Sequence, residues 1–171
     1  DCANELVKLI SKGVKAEDLL KLHKPISRQL ILTAQAMQGG ESLIKKCSEK
    51  NIPMALVSSS SRESFQIKSA PHKWMNLFSV MVLGDDKLLN KGKPAPDPYL
   101  LAAEKLNINP QECWAVEDSI SGVSSALEAG CFVFFLKDRR DETKDKEVFD
   151  QNKNLKQINY LLEIEQILNA F

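Results

Sequence analysis

The sequence predicts an α/β fold, an open parallel sheet flanked by helices. Three observations carry this. Short apolar runs recur after Gly40, at Pro53–Val57, Ser79–Leu83, Cys113–Val116 and Cys131–Leu136. Each run halts at polar residues: four serines, Gly84-Asp85-Asp86, Glu117-Asp118 and Lys137-Asp138. Segments with helical spacing fill the intervals, at about 62–69, 98–107 and 120–129. A continuous apolar run is what a parallel strand covered on both faces requires.

The elements follow in order. Leu6, Leu9 and Ile10, then Leu19, Leu20 and Leu22, sit at helical spacing, and Gly13 and Pro25 punctuate them. A further helix is expected from Ser27 to Met37, stopped by Gly39-Gly40. Glu41–Lys50 is amphipathic, with Leu43, Ile44 and Cys47 on one face. Tyr160–Leu168 closes the chain as a helix. Residues 137–153 hold six basic and six acidic side chains, the density of a solvated loop or frayed helix.

Composition narrows the function. Lys plus Arg and Asp plus Glu both total 23, so the net charge is zero, which argues against nucleic acid as the main partner. No run approaches the ~18 apolar residues of a membrane helix, and the first residues lack a basic-then-apolar leader pattern, so no membrane partner is expected. Cys2, Cys47, Cys113 and Cys131 form no C-x-x-C pair, and His23 and His72 have no partner at zinc spacing. Reduced thiols and a cytoplasmic location are the expectation.

Ligands of an open α/β sheet bind beyond the carboxyl ends of its strands. The first run ends in Ser58-Ser59-Ser60-Ser61-Arg62-Glu63. Ser60 with Glu63 fits a capping box, and hydroxyls with free N–H groups at a helix start suit phosphate. A serine-rich turn that only caps its helix explains the segment equally well. The third run ends in Glu117-Asp118, two carboxylates able to hold Mg²⁺, unless Asp118 or Ser119 is merely the next helix's N-cap. Glu117 weighs against that alternative, since a carboxylate finishing a buried strand is costly unless coordinated or paired. Between them lies Lys91-Gly-Lys-Pro-Ala-Pro-Asp97-Pro98, with Asp97 expected as N-cap and the prolines fixing where Lys93 points.

A hydroxyl-ended strand, a Gly-Lys-Pro-x-Pro-Asp loop and a Glu-Asp-Ser-x-x-Gly strand end, in this order, resemble the haloacid-dehalogenase-like hydrolase superfamily. Order and spacing match from about Gly40 to Lys137. Ile52–Ser61, His72-Lys73 and Phe78–Asp86 look most like the pseudouridine-5′-phosphatase and β-phosphoglucomutase branch. The resemblance implies a Rossmann-like hydrolase core over 39–171 and a partial helical cap over 1–38. It implies phosphate binding by Ser58, Ser59 and Lys93, catalytic support from Ser58 and Lys93, and Mg²⁺ on Glu117 and Asp118. It further implies hydrolysis of a small phosphorylated metabolite through an aspartyl-phosphate.

One element departs from the family pattern. The superfamily's nucleophile opens an Asp-x-Asp-Gly motif at the end of an N-terminal strand, and this sequence contains no Asp-x-Asp. In the resembled fold that strand lies between those matching 53–57 and 113–116. The reading therefore expects a chain truncated at its N-terminus, inactive alone, and completed by its own missing segment or a partner's strand. A sugar-phosphate mutase would use the same residues, and a non-catalytic phosphate- or partner-binding remnant is the alternative from another class. A serine hydrolase lacks its G-x-S-x-G elbow, and Gly39-Gly-Glu-Ser-Leu-Ile-Lys45 lacks a P-loop ending.

Overall fold

The computed structural model describes residues 35–137 and 152–170, together with 15, 17–19, 21 and 26. The chain divides into two compact units, 1–35 and 36–171. In the first, residues 17–19, 21 and 26 are helical, as the spacing there implies. The rest of the helical run expected over 1–34, with Cys2 and His23, lies outside the described residues, as does most of the mixed-charge segment, whereas residues 35–37, the expected end of the helix from Ser27, are described and are not helical.

In the second unit the chain turns at Gly39, whose φ of +83° suits glycine, into α1 (Gly40–Glu49). α1 buries Leu43 and half-buries Ile44 and Cys47. β1 (Ala55–Val57), α2 (Arg62–Ser69), a 3-10 turn (Lys73–Leu77) and β2 (Val80–Val82) follow. β1 and β2 pair in parallel, with Ala55 opposite Val80 and Val57 opposite Val82. A turn-rich stretch leads to α3 (Asp97–Leu106), which packs on β1, β2 and the later helix α4 (Ile120–Glu128). β3 (Trp114–Glu117), β4 (Phe132–Leu136) and β5 (Leu155–Ile158) form a second parallel sheet with β4 central. α5 (Leu162–Leu168) comes last. No helix among the described residues is long and apolar enough to cross a membrane.

β4 explains its own apolar run. Val133 and Phe135 face a core of Tyr99, Ala115, Val123 and Ala126, from α3, β3 and α4. Phe134 faces the other way, into Leu43, Ile158, Leu161, Ile164 and Leu168. A central strand whose alternate residues enter two cores must be apolar throughout.

The parallel α/β class is as expected, but four details differ. Four strands were expected, and the described residues form five in two sheets. β5 was missed because Lys156 and Gln157 are exposed, and Leu155 and Ile158 stand three apart, a spacing that does not mark a strand. β3 is not covered on both faces: Trp114 and Val116, which share one face, are 45% and 42% exposed, while Ala115 and Glu117 on the other are buried. The N-cap of α2 is Ser61, not Ser60: the Ser61 carbonyl accepts Phe65 N–H and its side chain accepts Ser64 N–H, while the Ser60 carbonyl is taken by Gly84 N–H. Asp97 is not the cap of α3 but its first residue, and its carboxylate accepts Lys91 N–H at 3.2 Å.

Phe134 is 1% exposed at the centre of the second core. Phe134→Ala is expected to cost about 3–5 kcal/mol in urea unfolding. A loss below about 1 kcal/mol would mean that this strand does not divide the two cores.

Candidate active site

The three expected strand-end segments meet at Lys93. Its ammonium donates to the Val57 carbonyl, the last of β1, at 3.2 Å, and to Glu117 Oε1, at the end of β3. One side chain therefore reaches the carboxyl ends of strands in two different sheets. Only 9% of the Lys93 side chain and 6% of that of Glu117 are exposed. A buried ion pair must recover a large desolvation cost through geometry and added hydrogen bonds. Glu117 has them: Tyr99 donates its hydroxyl to Oε1, and Ser119 Oγ lies 3.3 Å from Oε2. Among the described residues, no buried side-chain nitrogen or oxygen lacks a partner.

Local sequence builds this arrangement. The loop carrying Lys93 is closed at its base by Lys91 N–H on Asp97, and tacked at its middle by Ser125 Oγ donating to the Ala95 carbonyl at 2.6 Å. Ser119 caps α4 by accepting Gly122 N–H at 3.1 Å. Gly122 leaves space for the acid, since a Cβ there would overlap the Glu117 carboxylate. Burial first, and then the Glu117 charge, pushes the Tyr99 hydroxyl well above the usual phenol range, so it remains a donor at all ordinary pH.

Ser58 lies beside this centre in sequence and in pairing. Its N–H continues the β1–β2 ladder to the Val82 carbonyl at 2.9 Å, and its Oγ accepts Ser60 N–H at 3.1 Å. Among the described residues, its hydroxyl proton has no acceptor. Ser59 is exposed, and its carbonyl packs so closely on Gly84 that a Cβ there would clash. The N-terminus of α2 differs from a vacant anion site, because Asp85 already accepts Arg62 N–H with both carboxylate oxygens, at 3.0 and 2.9 Å. Asp86 instead pairs with Lys105 of α3 at 2.8 Å. That hydrogen bond, with another from Leu88 N–H, holds its carboxyl below the usual range.

Asp118 is exposed and adjoins Glu117. Among the described residues, no group of three or more His, Cys, Asp or Glu side chains could hold a metal. Magnesium does not require one: it binds through one or two carboxylates, keeps several waters and takes substrate phosphate as a ligand. The Glu117–Asp118 pair fits that donor set, with Asp118 the more available because Glu117 Oε1 already receives Lys93 and Tyr99.

Sequence reasoning brought Ser58, Lys93 and Glu117 together and placed Gly122 in the strand-end motif and Asp85 at a strand stop, but gave no site role to Tyr99 or Ser125. Tyr99 lies six residues after Lys93, in the first turn of α3, and is buried like a core residue.

The family model described as haloacid dehalogenase-like hydrolase matches residues 3–136. The chain is 35% identical over 148 residues to (DL)-glycerol-3-phosphatase 2 of Arabidopsis thaliana, covering 83% of this chain and 61% of that protein. It is 34% identical over 128 residues to a Drosophila melanogaster protein named "Probable pseudouridine-5'-phosphatase", covering 72% of this chain and 55% of that one. It thus spans little more than half the length of these curated relatives. Among solved structures, a HAD hydrolase of family IA, variant 3, from Entamoeba histolytica superposes with a TM-score of 0.72 at 25% identity, covering 92% of this chain and 73% of that one.

Gly122→Ala gains about 1 kcal/mol of helix propensity but overpacks the carboxylate, which costs about 1–3 kcal/mol, so a net loss is expected. Gly92→Ala, with nothing within 4 Å of its added Cβ, is expected to stay within about 0.5 kcal/mol of the parent. Equal stability of the two variants in denaturant unfolding would show that Glu117 is not held against α4.

Proposed function

The chain belongs to the haloacid dehalogenase-like hydrolase family, and on that premise we propose that it carries the phosphate-holding half of a phosphomonoesterase site. One observation supports this above the rest: the Lys93 ammonium is held by the carbonyl of Val57, the neighbour of Ser58, and by Glu117, so that among the described residues one of its three N–H donors has no hydrogen-bond acceptor. In this reading that N–H and the Ser58 hydroxyl bind phosphate oxygens, with Ser59 N–H or hydroxyl beside them. A fixed cation in a dry site stabilises the charge that builds on a transferring phosphoryl group far better than a solvated one would. Asp118, with Glu117 behind it, would hold Mg²⁺. Bound there, the ion supplies further positive charge against the phosphoryl oxygens.

The attacking group belongs to a different segment. No Asp-x-Asp pair occurs in the 171 residues, so the proposal assigns binding and charge stabilisation to this chain. The carboxylate that would form an aspartyl-phosphate comes from a strand placed next to β1 and β3. Residues 1–38 are proposed as part of a helical cap and 39–171 as the core. The substrate is a small phosphorylated metabolite, as the names of both phosphatase relatives suggest by analogy. A cytoplasmic site of action belongs to the same proposal, supported by the free thiols of Cys47, Cys113 and Cys131.

Inorganic phosphate titrated into ¹⁵N-labelled chain with Mg²⁺ present is expected to shift the amide signals of Ser58, Ser59 and the loop around Lys93. Lys93→Met removes a charge-assisted hydrogen bond and is expected to weaken binding about 10- to 100-fold. Lys105→Met, which removes an α3 lysine paired with Asp86, is expected to leave binding unchanged. Equal losses in both variants, or no shifts at Ser58 and Lys93, would refute the assignment.

A further inference from the structure

Lysine is a compact charge on a flexible four-carbon stem, without the rigid fork that fixes the direction of an arginine. Its aim must be imposed by what surrounds it. Around Lys93 the backbone supplies one acceptor, Val57, and Glu117 supplies another. Tyr99 acts on both the acid and the cation. Its hydroxyl donates to Oε1, the same Glu117 oxygen that receives Lys93, and its ring lies beneath the ammonium, with Nζ 5.1 Å from the centroid. Tyr99 is 9% exposed and held by Ala115, Val123 and Ala126, so the ring is a fixed platform.

We propose that Tyr99 is a positioning residue for Lys93: its hydroxyl fixes Glu117 Oε1, its ring face holds the ammonium, and together they direct the remaining N–H toward the phosphate subsite. This rests on the phosphate-site reading above. The geometry favours it over a purely space-filling role. A core phenylalanine would fill the same volume, whereas the hydroxyl is turned toward the carboxylate that anchors the lysine. The cation–π contact adds an attraction normal to the ring that the two acceptors do not provide.

Two substitutions separate the contributions, since Tyr99→Phe keeps the ring and Tyr99→Leu removes it. Phosphate affinity is expected to fall about 3- to 10-fold in Tyr99→Phe and further in Tyr99→Leu. In a Lys93→Met background, Tyr99→Phe is expected to change affinity by less than about twofold, because its effect runs through the lysine. An equal loss in both backgrounds, or none in either, would overturn the proposal. A second readout does not depend on phosphate. The Lys93 ammonium protons, held and shielded, are expected to give a resolved ¹H–¹⁵N signal in the parent chain that broadens away in Tyr99→Phe. If the parent binds no phosphate, the functional reading fails while this signal still decides the role of Tyr99: persistence in Tyr99→Phe would refute it.

Discussion

The buried pair between Lys93 and Glu117 is the contact on which the rest of the site depends. β1–β2 and β3–β4–β5 are separate ladders, and one ammonium reaches the last carbonyl of the first and the terminal acid of the second. Removing either charge would strand the other in a low-dielectric setting, which costs several kcal/mol. Each surrounding feature can be read as meeting that cost. Tyr99 and Ser119 complete the carboxylate, Gly122 makes room for it, and Asp97 and Ser125 hold the loop that delivers the lysine.

The same interaction links stability to the proposed chemistry. A cation that is already desolvated and aimed does not have to reorganise when charge develops on a phosphoryl group. The surface ion pairs do nothing comparable. Lys45 and Glu41 lie 2.7 Å apart with both side chains more than half exposed, and such pairs contribute little.

Much of this was legible in the sequence because an open α/β sheet places its chemistry where apolar runs stop. Ser58, Lys93 and Glu117 stood out for that reason, and the residue pattern alone made Glu117 anomalous. What was not legible depended on tertiary contact. Four consecutive serines offer several caps, and it takes the bond from Gly84 N–H to the Ser60 carbonyl, with Ser64 N–H on the Ser61 side chain, to put the helix start at Ser61. Asp97 looks like a cap until its carboxylate is seen closing the loop on Lys91. Tyr99 carries no local mark of the acid it meets, and Gly122, though part of the strand-end motif, shows only in the fold that it makes room for the carboxylate. β5 lacks an apolar signature because it flanks β4 with Lys156 and Gln157 exposed.

The central claim is that Lys93 and Glu117 stabilise the fold as a pair. A double-mutant cycle in urea, with Lys93→Met, Glu117→Met and both together, tests it most directly. Each single variant is expected to lose about 3–5 kcal/mol, and the double variant far less than the sum, because replacing both charges leaves none unpaired. Additive losses, with a coupling below about 0.5 kcal/mol, would contradict the account.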